Sequence, residues 1–289
     1  EWDASKEGFE SVLGSKVPAP GLEDSSDKLI TNCSDGIFIR YDIIGLVYWI
    51  LSRKEEVDAK EDCLDDKKRF KGVASHAYKY GYLERPIVDE WFLILAQIIL
   101  KIWPDMKLKN NNFAIKVSHD VDMPSSFGMG SYSDTIKRMA GHLIKRRDIG
   151  SAVKGPYIHY KTKVKIPESD PLNTFSWLMD CSEKNDIKSA FYFLAGKTND
   201  KMDGDYTLKH PAIRKLLLEI HSRGHEIGLH PSYDTYLDAE KLMLEAQNLR
   251  DTCEQLGIRQ KVWGGRMHFL RWRHPETLYA WEKAKFDYE

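Results

Sequence analysis

The chain has 289 residues, 42% hydrophobic and 30% charged, the proportions of a soluble globular protein with room for one large domain or two ordinary ones. Lys and Arg (43) nearly balance Asp and Glu (44), so no global electrostatic case exists for a nucleic-acid partner. Cys33, Cys63, Cys181 and Cys253 stand far apart with no C-x-x-C, which argues against a disulfide framework and for reduced thiols in a cytoplasmic protein.

Residues 1 to 36 are polar and turn-rich, with Pro18, Pro20 and Gly21 followed by the acidic run Glu23-Asp24-Ser25-Ser26-Asp27. The chain starts at Glu1 rather than Met and shows no signal peptide, so it reads as a fragment of a longer protein. Residues 41–51 are apolar on most sides and run on into Ser52-Arg53-Lys54-Glu55-Glu56, which predicts a helix with a charged end. After a charged loop over 58–71, Pro86 suits the first turn of a second helix, and Asp89 and Glu90 lie where its dipole favours negative charge. The apolar run 91–103 in that helix is interrupted by Gln97 and Lys101. A membrane span needs roughly 20 apolar residues, so this is a buried helix and no transmembrane segment is expected. Lys109-Asn110-Asn111-Asn112 is the best linker in the chain, and it divides a mainly helical domain over 1–110, with no assigned role, from a second domain over 113–289.

Beyond the linker, strands and helices alternate. A strand is expected over 113–118, a helix near 172–184, a strand over 189–195, and a helix over 212–223 opened by Pro211 and stopped by Gly224. Then come a strand over 225–230, a helix over 238–256 ending at Gly257, a strand over 260–265 and a last helix from Pro275 to about Lys285. Such alternation predicts a parallel sheet covered by helices. Between Lys137 and Lys165 lie nine Lys/Arg and one acid, Asp148. Runs like this are most often solvated faces. The functional alternative is a patch for phosphate, on a nucleotide- or lipid-linked substrate or on a membrane surface.

Three segments carry candidate chemistry. In Ser118-His119-Asp120-Val121-Asp122, two carboxylates two residues apart point to one side of an extended chain and converge beyond a strand's C-terminal end, where parallel α/β folds gather ligands. Paired carboxylates repel, so they call for a metal, an Arg or a proton to share. In His225-Glu226-Ile227-Gly228-Leu229-His230, His230 lies at the same end as the aspartates, and His225 lies at the opposite end on the other face. If the chain turns helically after His230, Asp234 at i+4 meets it, and the two with Asp122 form a divalent-metal site. In Gly264-Gly265-Arg266-Met267-His268-Phe269-Leu270-Arg271-Trp272, the glycines allow close approach, and Arg266 is placed to hold Asp120 ionised by a bidentate pair. Trp272 or Phe269 offers an apolar wall for a sugar. Each residue also has a plain structural reading, as a turn aspartate, a satisfied histidine or a surface arginine.

In their order and spacing, these segments resemble the first three motifs of polysaccharide deacetylases (carbohydrate esterase family 4), over roughly 113–289. The region before them resembles the amino-terminal helical domain of a bacterial subgroup from surface-polysaccharide loci, including those for lipopolysaccharide. The resemblance implies a distorted (β/α) barrel, incomplete at the C-terminus, and a hydrolase that removes N-acetyl groups from a nucleotide- or lipid-linked sugar. By position it makes Asp120 the base, Asp122 and His230 metal ligands, and Arg266 the residue that orients the base. Zinc is the first choice of metal, with other first-row divalent ions as alternatives. Asp234 stands where the family has a second metal histidine, which makes the site harder and more anionic. The family's general-acid histidine falls after residue 289. His119 and His268 are substitutes for it, or substrate contacts together with Trp272. The rivals are a silent carbohydrate-binding or scaffold protein, a small-molecule C–N amidohydrolase, and a phosphate-handling enzyme, the last lacking any Gly-rich phosphate loop. A cytoplasmic protein with membrane association is one outcome of the basic stretch.

Overall fold

The computed structural model describes residues 1–22, 28–109 and 112–289. The acidic run at 23–27 and residues 110 and 111 of the linker lie outside the described residues. The chain forms two compact units, Glu1–Phe113 and Ala114–Glu289.

In the first unit, β1 (Trp2–Asp3) pairs antiparallel with β2 (Lys16–Val17), and β3 (Ile30–Cys33) with β4 (Gly36–Ile39). The unit is therefore not simply helical. Helix α1 (Ile43–Leu51) opens on the Asp42 carboxylate, which accepts from the Gly45 N–H at 2.7 Å. It stops at Leu51 rather than running on to Glu56, because Arg53 adopts left-handed backbone (φ 52°). The short α2 (His76–Lys79) and the long α3 (Ile87–Ile102) complete the unit. Its core centres on Trp91, which stacks on Trp2 at 5.4 Å and donates its indole N–H to the Pro18 carbonyl at 2.8 Å.

The second unit contains β5 (Val117–Val121), α4 (Tyr132–Ile144), α5 (Ile149–Thr162), α6 (Phe175–Glu183), β6 (Ser189–Leu194), α7 (Pro211–Ser222), β7 (Glu226–His230), α8 (Ala239–Gln255) and α9 (Glu276–Lys283). The three strands form a parallel sheet in the order β5-β6-β7. All six residues of the middle strand β6 are buried, as expected for a parallel strand covered on both faces. Phe191, Phe193, Ile213, Leu217 and Ile227 are essentially inaccessible, and such side chains stabilise the fold by roughly 1.5–3 kcal/mol each.

Three sequence expectations are corrected. Among the described residues the sheet is open, so the (β/α) barrel is not formed. Closure at this scale takes about eight strands. Here the sheet has three strands, continued past β7 only by single parallel bridges, Leu229 to Gly265 and Gly264 to Tyr288. The strand expected over 113–118 begins at Val117 instead, because β6 first offers a partner at Ser189, opposite Val117. That register brings Asp120 inside the strand, opposite Tyr192. The strand expected over 260–265 is reduced to those bridges. The Gln260 side chain takes the place of ladder bonds, accepting from the Ile227 N–H at 3.1 Å and donating to the Ile227 carbonyl at 2.6 Å. No helix among the described residues is long and apolar enough to cross a membrane.

Gly228 permits a close approach within the sheet, since a Cβ there would strike the Gly264 carbonyl and the Tyr192 ring. Gly141, inside α4, faces open space. Gly228→Ala is expected to destabilise the second unit by about 1–3 kcal/mol. Gly141→Ala should stabilise it by about 0.5–1 kcal/mol. Urea unfolding of both variants beside the parent checks the pair, and equal midpoints would refute the packing assignment.

Candidate metal and acid–base site

The C-terminal ends of β5 and β7 supply the first two members of the site. Val117, His119 and Val121 alternate with Ser118 and Asp120 along β5, and Asp122 follows on the Asp120 side. The strand ends are tied by Tyr206, whose hydroxyl donates to the Val121 carbonyl at 2.6 Å and accepts from the Leu194 N–H at 2.7 Å. Gly204 lies against the Asp122 backbone, where a Cβ would clash.

His230 ends β7 and is buried. Its Nδ1 lies 2.6 Å from the Arg266 carbonyl. His268 is also buried, and its Nε2 lies 2.9 Å from the Met202 carbonyl. A carbonyl oxygen only accepts, so these bonds put the proton of each neutral ring on His230 Nδ1 and His268 Nε2. The remaining nitrogens, His230 Nε2 and His268 Nδ1, then carry lone pairs and face each other at 2.8 Å. The Asp122 carboxylate lies 3.2 Å from the first and 3.4 Å from the second. Asp122, His230 and His268 thus form a group able to hold a metal ion. Ligands about 2.0–2.1 Å from one tetrahedral ion sit roughly 3.3 Å apart, close to this spacing. Burial pushes the His268 imidazole down, towards its metal-binding neutral form.

Arg266 forms the second part of the site. Its guanidinium donates to Asp120 Oδ1 at 3.0 Å and to the Ser118 hydroxyl at 2.6 Å, and lies 5.4 Å over the Tyr192 ring. The pair with Asp120 uses one guanidinium nitrogen, the other being taken by Ser118, so it is not bidentate.

The structure separates the remaining predicted residues from this group. Asp234 lies outside it, and His268 takes the third position. The reason is local: Pro231 and Ser232 follow His230, and a 3-10 turn begins only at Tyr233, so no α-helix spaces His230 and Asp234 at i and i+4. The Asp234 carboxylate lies 3.3 Å from the Arg271 guanidinium instead. His119 points to the helix-covered face, its ring 4.8 Å from Phe191, where burial lowers its pKa. Trp272 packs against the core of the unit. His225 accepts from the Ser189 N–H at 3.0 Å and lies 3.2 Å from Glu183, a core role.

Two buried carboxylates around the site had no sequence signal. Asp203 accepts from the Thr198, Asn199 and Tyr233 N–H groups at 2.7–2.8 Å, tying the loop after β6 to the turn after β7. It also lies 3.8 Å from His268 Nε2. Glu245 reaches in from α8 to accept from the Ser232 N–H at 2.9 Å and from the Ser232 hydroxyl. Burial pushes its carboxyl up to about 7, against the stabilising bonds from Ser232.

A family of unknown function (DUF7033) matches residues 8–104, wholly within the first unit and apart from every residue of the site. No curated protein and no solved structure matches the chain.

The Glu245 shift has a measurable consequence. The folded protein keeps a proton there that the unfolded chain loses near its ordinary value of 4.5. Stability should therefore fall as pH rises from the ordinary value to about 7, by an amount on the order of 3 kcal/mol. Glu245→Gln is expected to remove that slope. Urea midpoints of the metal-free parent and variant between about pH 4 and about pH 8 check it. Parallel curves for the two proteins would contradict the assignment.

Proposed function

We propose that the protein is a metal-dependent hydrolase that removes an N-acetyl group from a sugar in bacterial surface-polysaccharide biosynthesis. The observation that carries this reading is the convergence of His230 Nε2, His268 Nδ1 and an Asp122 oxygen, with an arginine-held carboxylate, Asp120, on the same strand. The resemblance of the three motif segments to polysaccharide deacetylases supports the choice of an acetamido substrate. It does so without the barrel, which is absent, and with a donor set that differs at Asp234.

Two imidazoles and one carboxylate suit zinc, with other first-row divalent ions as alternatives. Bound there, the ion would supply Lewis acidity towards the acetyl carbonyl and lower the pKa of a bound water to about 7. The protein's own residues do the rest. The Arg266 and Met202 carbonyls fix the ring orientations of His230 and His268, a form of support whose loss typically costs about 10–100-fold in metal affinity. Asp120 is the general base. Arg266 aims it, and Ser118 and Tyr192 hold Arg266 in turn.

Zinc titration with an acetate-release assay on N-acetylated sugars tests this reading. Asp122→Ala and His268→Ala are expected to weaken zinc binding by more than about 100-fold, beyond the effect of losing a supporting partner. Asp234→Ala should leave zinc affinity unchanged. Asp120→Asn should keep the metal and lower acetate release by about 100- to 10,000-fold. Zinc binding with no acetate released from any N-acetylated sugar would overturn the deacetylase reading while leaving the metal site standing. Equal zinc loss in the Asp234 and His268 variants would overturn the ligand set.

A further inference from the structure

The basic stretch after β5 is not an irregular insertion. It folds as two helices, α4 and α5, packed on each other through a four-residue link, residues 145–148. The faces turned to the rest of the unit are accounted for. On α4, Thr135 bonds the Phe127 carbonyl, Arg138 bonds the Ser126 carbonyl and Asp205, and the His142 ring meets Phe127. On α5, Ala152, Gly155, Ile158 and Thr162 are buried, at a spacing that marks one side of a helix.

The opposite sides are apolar and open. On α5, Ile149, Val153, Tyr157 and Tyr160 fall within one arc of the helix and are 52–71% exposed. On α4, Tyr132, Ile136 and Leu143 form a matching arc, 46–58% exposed, and Ile144 beside it is 78% exposed. An isolated exposed leucine needs no explanation, but an exposed stripe of aliphatic and tyrosine side chains on each of two packed helices does. Cations surround them. Lys145, Arg146 and Arg147 stand exposed on the link, Lys154 and Lys161 flank the α5 stripe, and Lys163 and Lys165 follow it. Lys161 lies 5.8 Å from the Tyr157 ring centroid. The hairpin has two acids, both engaged at helix starts: Asp134 accepts from the Ser131 hydroxyl at 2.5 Å, and Asp148 caps α5 through the Ser151 N–H.

We infer that the outer face of the α4–α5 hairpin docks on an anionic phospholipid surface, its apolar stripes entering the headgroup boundary and its lysines and arginines meeting lipid phosphate. Charge complementarity selects this occupant. Apolar residues, interfacial tyrosines and flanking cations on helices too short to span are the composition of an in-plane interfacial element. A second copy of the same hairpin would set these cations against each other. The inference stands apart from the chemistry of the metal site.

Flotation of the whole protein with phosphatidylglycerol-containing vesicles, against phosphatidylcholine vesicles, tests it. Binding is expected to the first and not the second, and to fall as salt shortens the screening length from about 10 Å to about 3 Å. Val153→Asp with Tyr157→Asp, both exposed, should lower binding about tenfold or more while leaving the circular dichroism spectrum and zinc binding unchanged. Arg146→Glu with Arg147→Glu should weaken it to a similar degree at low salt only. Equal flotation with both lipids, or undiminished binding by the Val153/Tyr157 variant, would overturn the proposal. So would a dimer in sedimentation that the same variant dissolves while the parent ignores vesicles, since the occupant is then a second copy.

Discussion

Two buried imidazoles have each spent one nitrogen on a backbone carbonyl, and the organisation of the site follows from that commitment. The Arg266 and Met202 carbonyls can only accept, so they dictate which nitrogen of His230 and of His268 is left over. The leftover nitrogens meet at 2.8 Å beside a carboxylate. Lone pairs that close repel unless a cation lies among them, and burial denies the rings the water that would relieve the repulsion. A proton can serve between two rings, but a third donor at 3.2 and 3.4 Å makes the space better suited to a metal ion.

Holding those carbonyls in place is a task for the chain connections rather than for the sheet. The parallel sheet brings Asp122 and His230 to one edge because β5, β6 and β7 share a direction and a register. It does not reach Met202 or His268. The loop bearing Met202 is tied down by the buried Asp203 carboxylate, which gathers N–H groups from two segments, and by Gly204 against the Asp122 backbone. Ser232, two residues past His230, is gripped by Glu245 from α8, a carboxylate held far from its ordinary titration range. The fold thus accepts the desolvation of two acids close to a third.

Elements with strong internal periodicity were legible in the sequence. The helices now labelled α3, α7 and α8 and the strands β6 and β7 lie within a residue or a few of where hydrophobic spacing, Pro211 and Gly224 place them. What the sequence did not show is decided through space. The start of β5 depends on where β6 begins to offer partners, and the segment 260–265 loses its ladder to the side chain of Gln260. Barrel closure is implied only by the motif resemblance, since βα alternation specifies parallel neighbours and says nothing of how many strands close a sheet. Asp203 and Glu245 carried no signal, because their roles rest on backbone N–H groups that no spacing rule encodes.

The exchange of Asp234 for His268 as third member changes the chemistry available. One imidazole and two carboxylates around a dication would leave the site neutral. Two imidazoles and one carboxylate would leave it with a net positive charge, which would favour an ionised water and a developing oxyanion more strongly. Arg266 pairs with Asp120 through its guanidinium at 3.0 Å while its carbonyl lies against His230 Nδ1. One residue therefore links the Asp120 carboxylate to the candidate metal group, through its side chain to Asp120 and through its main chain to His230. Sequence order, with Arg266 two residues before His268, brings the third ligand to the site on the same short segment.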